Sequence, residues 1–150
     1  MSVTVVDSSA ILRLCFAEGD LKLAEQAMHG VAAVSELAAV ELPCAIHARC
    51  HRGELTQVQA ARLVALAQSL LGTTARIAVS RAVLREAVSV AQQHLVRALD
   101  AIHLGTAVVT ARQQRRRGAT IRFCTADVRQ AEVARALFGD DRVDFVPPYR

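Results

Sequence analysis

Short apolar runs alternate along the chain with longer segments in which apolar residues recur every three or four positions. The short runs predict buried strands, because a strand of a parallel sheet is covered on both faces. The longer segments predict helices that bury one face. The predicted strands cover residues 3–6, 31–34, 75–79 and 120–124, and a last edge strand is predicted at 143–146.

Polar residues and glycines mark the ends of the predicted helices. The first helix begins near Ala10, and the others cover 21–28, 35–50, 56–72, 80–93, 97–113 and 127–139. Ser35 and Ser80 stand at positions typical of helix N-caps. Thr56 and Gln59 have the spacing of a capping box, in which each side chain bonds to the backbone at the other position.

Two helices have features that predict their packing. Apolar residues at 58, 63, 66, 70 and 71 predict the buried stripe of the helix that ends at Gly72. Pro43 lies inside the helix predicted at 35–50, where it removes a backbone donor and crowds the preceding turn. We therefore expect a kink just after Glu41.

The regular alternation of strands and helices predicts the fold class. It implies right-handed βαβ crossovers and an α/β protein with a mainly parallel sheet, covered by helices on both faces. A chain of 150 residues is the size of one domain, so residues 1–150 are predicted to form a single domain. Ligands of such sheets bind beyond the carboxyl ends of the strands.

Composition narrows the cellular setting. Hydrophobic residues make up 53% of the chain and aromatic residues only 3%, so the core must consist mainly of Ala, Val, Leu and Ile. The longest uncharged stretch, 63–75, is too short and too polar to cross a bilayer. The first residues lack the features of a signal peptide, and we expect a cytoplasmic protein without membrane contact.

The four cysteines form no CxxC pair, and in a cytoplasmic chain they are expected to be small packing residues. One alternative is a metal site, because Cys44, His47 and His51 share a helix face. Zinc sites usually draw their ligands from two chain segments, which disfavours this alternative.

Arginine carries almost all of the positive charge, since Lys22 is the only lysine and the net charge is +4. The densest basic run comprises Arg112, Arg115, Arg116 and Arg117. Arginine suits bidentate contact with phosphate, which favours an RNA contact. Cations at a helix C-terminus also complement the helix dipole, and both interpretations stay open.

Four acids stand beside or within apolar segments. Asp7 and Asp127 follow predicted strands, where either residue can also cap a helix. Glu41 and Asp100 lie inside apolar helical segments, where an unpaired carboxylate is costly. If the four converge, repulsion raises their pKa values unless cations intervene. Oxygen ligands of this kind suit Mg²⁺ or Mn²⁺, and such sites carry out phosphoryl chemistry.

Four segments in order and spacing resemble the PIN-domain ribonucleases and, among them, the VapC toxins of VapBC toxin–antitoxin systems. Together they span almost the whole chain. They are VVDSSA at 5–10, SELAAVE at 35–41, LDAIHL at 99–104 and TAD at 125–127.

This resemblance implies a three-layer α/β/α sandwich with a mainly parallel sheet of four to five strands. It implies a metal-dependent endoribonuclease toxin that uses Mg²⁺ or Mn²⁺ to hydrolyse RNA and so inhibits translation or growth. The catalytic and metal-binding residues it implies are Asp7, Glu41, Asp100 and Asp127, supported by the hydroxyl groups of Ser9 and Thr125.

The resemblance also implies a homodimer and a VapB-type antitoxin. The groove of this chain that receives the antitoxin would be built by helices within 21–50 and 56–71. The alternative is a non-catalytic basic module of the same fold that binds RNA through the arginine run. A receiver-like signalling domain is disfavoured, because the chain lacks a phosphoacceptor aspartate after a third strand and a suitable lysine near its end.

Overall fold

A five-stranded parallel sheet forms the centre of the computed structural model, which describes residues 2–148. The strands lie in the order β3-β2-β1-β4-β5, and every neighbouring pair is parallel. This confirms the predicted α/β class and places the fifth strand at an edge. The strands are β1 (Ser2–Val6), β2 (Val31–Ser35), β3 (Ala75–Ile77), β4 (Thr120–Thr125) and β5 (Val143–Phe145).

Helices cover both faces of this sheet. Successive residues of β1 point to opposite faces, so Val6 packs in one apolar cluster and Val5 in the other. The first cluster includes residues of the first four helices, and the second includes residues of the last three. The helices are α1 (Ser8–Phe16), α2 (Leu21–His29), α3 (Ala38–His51), α4 (Gln57–Gly72), α5 (Arg81–Gln93), α6 (Ala98–Arg115) and α7 (Val128–Phe138), with a 3₁₀ turn at Asp140–Arg142.

Of the caps predicted at Ser35, Thr56 and Ser80, two are confirmed and one is wrong. Thr56 and Gln59 form both bonds of the capping box, and the Ser80 side chain accepts a bond from the backbone of α5. Ser35 instead ends β2, and α3 begins three residues later without a side-chain cap. The α3 helix continues past Pro43 to His51, and a bend at the proline remains a prediction.

The predicted apolar stripe of α4 is only partly correct. Val58 is 62% exposed and Leu66 is 42% exposed, whereas Ala60, Ala67 and Leu71 are buried. Small side chains let helices approach closely, so α4 turns an alanine-rich face toward the core. A prediction that follows large apolar residues misses such a face.

Two cysteines pack in the core as predicted. Burial raises the pKa of the Cys15 thiol to about 11 and that of the Cys124 thiol to about 12. Cys44 is exposed, so packing does not account for it.

Nowhere in residues 2–148 do three His, Cys, Asp or Glu side chains meet in a ready metal site, and this includes the face with His47 and His51.

The close approach of α5 and α6 depends on Gly105. A Cβ atom at this position would lie 2.7 Å from the carbonyl oxygen of Val83 and 2.8 Å from the backbone nitrogen of Ala87. Both neighbours are backbone atoms that a rotamer change cannot move.

Among residues 2–148, no helix has the length and apolar character that a membrane crossing needs.

Replacing Gly105 by alanine should therefore force α5 and α6 apart. We expect Gly105→Ala to lower the free energy of unfolding by about 1–3 kcal/mol, as overpacking usually does. Urea unfolding followed by circular dichroism would measure the loss. The matched control is Gly72→Ala, because a Cβ there would meet nothing within 4 Å. Equal stability of the two variants would contradict the close packing.

Candidate active site

Asp7 follows β1 at the carboxyl edge of the sheet. Its backbone N–H continues the ladder to β4 by donating to the Cys124 carbonyl oxygen at 2.8 Å, which brings Asp7 beside Thr125. Asp7 is the N-cap of α1, and its Oδ2 accepts bonds from the backbone N–H and hydroxyl of Ser9. Asp7 is only 4% exposed. Strand register and helix capping thus hold this acid in one orientation.

Ser9 and Thr125 join the ends of the two central strands. Their hydroxyl oxygens lie 3.1 Å apart, and the Thr125 hydroxyl lies 3.3 Å from Oδ2 of Asp7. The backbone N–H of Ala126 donates to Ser9, and that of Asp127 donates to Thr125. The two hydroxyl groups therefore set the position of the chain that carries Asp127.

Glu41 reaches the same edge from α3 and is held there by two donors. Its Oε2 accepts the hydroxyl of Ser8 at 2.5 Å and lies 2.6 Å from Nε2 of His103. His103 is only 3% exposed, and its Nδ1 lies 3.5 Å from Oδ1 of Asp7. The imidazole therefore stands between two carboxylates, one from α3 and one from the end of β1.

The pKa values of this pair reflect mutual stabilisation of charge. Burial raises the pKa of the Glu41 carboxyl, but the hydrogen bond and charge of His103 and the bond from Ser8 outweigh it, so the pKa is lowered. Burial lowers the pKa of His103, but the bond to Glu41 and the charges of Asp7, Glu41 and Asp100 outweigh it, so the pKa is raised. Glu41 is thus kept ionised.

Asp100 lies in the first turn of α6 and is oriented by Gln130 of α7. The side-chain amide of Gln130 donates to Oδ1 of Asp100 at 3.1 Å, and its carbonyl oxygen lies 3.1 Å from the Thr125 hydroxyl. Gln130 is only 2% exposed. Asp127 caps α7 by accepting the backbone N–H of Gln130 at 2.9 Å.

Burial and neighbouring carboxylates both act on Asp100. Its pKa is raised first by burial and then by the charges of Asp127 and Asp7, while Gln130 and His103 act in the opposite direction. The structure thus brings these three aspartates within electrostatic range, with Glu41 held nearby by His103. Ser8, His103 and Gln130 were not predicted as site residues. The only signal for His103 was its place three residues after Asp100.

The donor chemistry of this cluster suits a hard divalent cation. The oxygen atoms that this cluster offers belong to carboxylates, and Mg²⁺ and Mn²⁺ prefer such oxygens as ligands. No three of these side chains within residues 2–148 already converge on one point as ligands would. Each is bonded instead to neighbouring protein groups. Mg²⁺ usually keeps several water molecules and needs only one or two direct carboxylates, so the residues present fit such an ion.

The arginine run lies apart from the acids. Arg112 and Arg115 are in the last turn of α6 and Asp100 is in its first, so a rise of about 1.5 Å per residue separates Arg112 from Asp100 by about 18 Å. Arg112 makes a bidentate ion pair with Glu86. A cavity of about 730 Å³ at this end of the helix is lined by Arg112 and Arg115, among others. The helix-dipole interpretation and the RNA-contact interpretation both fit this position.

Removing the charge of Asp100 should stabilise the metal-free protein. A raised carboxyl pKa means that ionisation of Asp100 destabilises the folded state above that pKa. We expect Asp100→Asn to shift the urea midpoint upward at neutral pH in EDTA. The gain should vanish below about pH 3.9, where aspartate is protonated even in the unfolded chain. The control is Asp140→Asn, at an exposed residue outside the cluster. A downward shift for Asp100→Asn would contradict the repulsion.

Comparisons with known proteins identify the fold and the family. Three similar structures are a toxin–antitoxin complex from Klebsiella pneumoniae (18% identity, 85% of this chain and 88% of that chain, TM-score 0.56), PAE2754 from Pyrobaculum aerophilum (16%, 95% and 83%, 0.64), and VapBC2 from Rickettsia felis bound to a DNA fragment from their promoter (9%, 98% and 99%, 0.56). At these identities the likeness shows the fold. No curated protein matches the chain. The family model of the PIN domain matches residues 4–136, and the chain therefore belongs to the PIN-domain family.

Proposed function

We propose that this PIN-domain nuclease is a metal-dependent endoribonuclease and the toxin of a type II toxin–antitoxin system. The observation that carries the proposal is the gathering of Asp7, Asp100 and Asp127 around the side chains of Thr125 and Gln130. In agreement with this, burial and the charges of Asp127 and Asp7 raise the pKa of Asp100. Natural folds rarely gather carboxylates without a use for them. A divalent cation would relieve the repulsion and supply the chemistry that RNA hydrolysis needs.

In this proposal Asp7, Glu41, Asp100 and Asp127 hold Mg²⁺ or Mn²⁺. When bound, such an ion supplies positive charge to the phosphate and makes a water molecule more acidic. The chain's own residues prepare the site. Ser9 and Thr125 fix Asp7 by hydrogen bonds to its carboxylate. Gln130 donates to Oδ1 of Asp100, and Oδ2 of Asp100 has no hydrogen-bond partner in residues 2–148.

His103 has a comparable effect on Glu41. Both bonds to this carboxylate are made at Oε2, and Oε1 has no hydrogen-bond partner in the described chain. The Glu41 carboxylate is therefore ionised, fixed in orientation and left with one available oxygen. This arrangement suits a group that binds a cation or a reacting water molecule.

The partner proposals are an RNA substrate, a VapB-type antitoxin and a second copy of this chain. The Klebsiella and Rickettsia structures are described as a toxin–antitoxin complex and as VapBC2, respectively. The proposed antitoxin groove involves α2, α3 and α4. Val40 on α3 and Val58 and Leu66 on α4 are large apolar side chains exposed to solvent, as a surface that awaits a partner would have.

Cleavage of RNA is the direct test. The purified chain should cut total cellular RNA at defined positions in Mg²⁺ or Mn²⁺ and lose this activity in EDTA. Asp100→Asn should lower the rate by about a hundredfold or more, because a charged group at the reacting centre is lost. Primer-extension mapping would locate the cuts. Full Mg²⁺-dependent cleavage by Asp100→Asn would disprove the assigned site.

The alternative, a non-catalytic RNA-binding module, makes the opposite prediction in the same samples. Binding would then survive EDTA, fall steeply with salt and depend on Arg115, Arg116 and Arg117 more than on Asp100. Metal-dependent cutting that persists after these arginines are replaced would rule out this alternative.

Variants of His103 test how the site is held in place. We expect His103→Leu to lower kcat by about tenfold to a hundredfold, as loss of a bond to a ligating group usually does. His103→Gln retains an N–H donor and should recover part of the rate. Calorimetric titration with Mn²⁺ should show the same order of affinities. Equal behaviour of the two variants would indicate that the hydrogen bond to Glu41 is not what matters.

A further inference from the structure

A small cavity opens beside Asp100, between the first turns of α6 and α7. Its volume is about 150 Å³, and it is lined by Leu95, Val96, Arg97, Asp100, Arg129 and Gln130. Because Asp100 and Gln130 belong both to this cavity and to the acidic cluster, the cavity is continuous with the candidate active site. The role that we infer for this cavity rests on the proposed ribonuclease function.

Within residues 2–148, the two arginines of this cavity have no carboxylate partners. Arg97 and Arg129 are exposed, and neither lies within 4 Å of an Asp or Glu oxygen in residues 2–148. Arg49 and Arg122, in contrast, make bidentate pairs with Glu18 and Asp144. The cavity therefore presents two available guanidinium groups.

These arginines do not form an ion pair with Asp100. Asp100 accepts a hydrogen bond from Gln130, and no arginine nitrogen in residues 2–148 lies within 4 Å of its carboxylate oxygens. Two cations beside an acidic cluster, yet not paired with it, suit an anion that approaches from outside.

The size and surroundings of the cavity favour a phosphate group. A volume of about 150 Å³ is about five times that of a water molecule and well below that of sites for whole small molecules. Arginine binds phosphate through paired N–H donors. The helices α6 and α7 begin at Ala98 and Val128, so their positive dipole ends lie at the same place. Leu95, which is 93% exposed, offers an apolar contact at the rim.

We propose that Arg97 and Arg129 bind the RNA substrate at a phosphate next to the one that is cleaved. Asp100 forms a wall of the cavity and also belongs to the acidic cluster, so an RNA strand that occupies both places carries two neighbouring phosphates across it. The guanidinium groups draw the strand toward a site whose carboxylates would otherwise repel it. They are positioning residues, and the carboxylates remain the reacting groups.

The test compares two double variants that each remove two positive charges. The first is Arg97→Gln with Arg129→Gln. The control is Arg81→Gln with Arg85→Gln on α5, where both arginines are exposed, lack a carboxylate within 4 Å in residues 2–148 and lie on a helix that contributes no site residue. Thermal unfolding of both variants checks that they are folded.

Two measurements distinguish binding from chemistry. In cleavage assays we expect the Arg97 and Arg129 variant to raise KM by about tenfold or more, with kcat changed much less. In EDTA, fluorescence anisotropy with a short labelled single-stranded RNA should show a smaller dependence of log affinity on log salt. The slope should fall by about 0.7 for each phosphate contact that is lost. The control variant should change neither quantity to a comparable extent.

Contrary outcomes are equally specific. Equal effects of the two double variants on KM and on the salt slope would overturn the proposal, since only net charge would then matter. Loss of self-association with unchanged RNA binding would assign the cavity to a second copy of the chain and overturn it too. If the wild-type chain cuts no RNA, the proposed function fails, but the anisotropy measurement still tests the arginines independently.

Discussion

The parallel pairing of β1 with β4 is the constraint on which the whole site depends. Val6 stands opposite Cys124 in the register, and the bond from the Asp7 backbone to the Cys124 carbonyl extends that register by one step. A slip by one residue would turn Asp7 away from Thr125 and reverse which side chains face each layer. The position of the acids is therefore determined by the packing of the two layers of helices.

Around this pairing, polar side chains are arranged so that each buried donor or acceptor has a partner. In residues 2–148, no buried side-chain nitrogen or oxygen lacks a hydrogen bond. An unpaired polar group in such a place costs about 1–3 kcal/mol, so the network through Ser9, Thr125 and Gln130 allows the acids to be held near the core. The carboxylates can then remain close together without unfolding the edge of the sheet.

The sequence predicted much of the fold because its signals were local. Strand–helix alternation and the capping residues Thr56 and Ser80 indicate elements without reference to distant residues. Tertiary packing decided the rest: α4 buries alanines in place of Val58 and Leu66, and Ser35 ends a strand. The apolar surroundings of the four acids singled them out as candidate site residues, and that assignment stays a prediction. Their holders His103 and Gln130 could not be predicted, because contacts such as the one from Gln130 to Asp100 join separate helices.

Burial of the core thiols has a consequence for how the protein withstands oxidants. Oxidation and alkylation proceed through the thiolate, which Cys15 and Cys124 hardly form at neutral pH with pKa values of about 11 and about 12. Cys44 is exposed on α3, three residues after Glu41. We therefore expect mild oxidation to spare the interior and to modify first the exposed thiol on the helix that carries Glu41. Sulfenic or glutathione adducts would form there while the sheet stays intact.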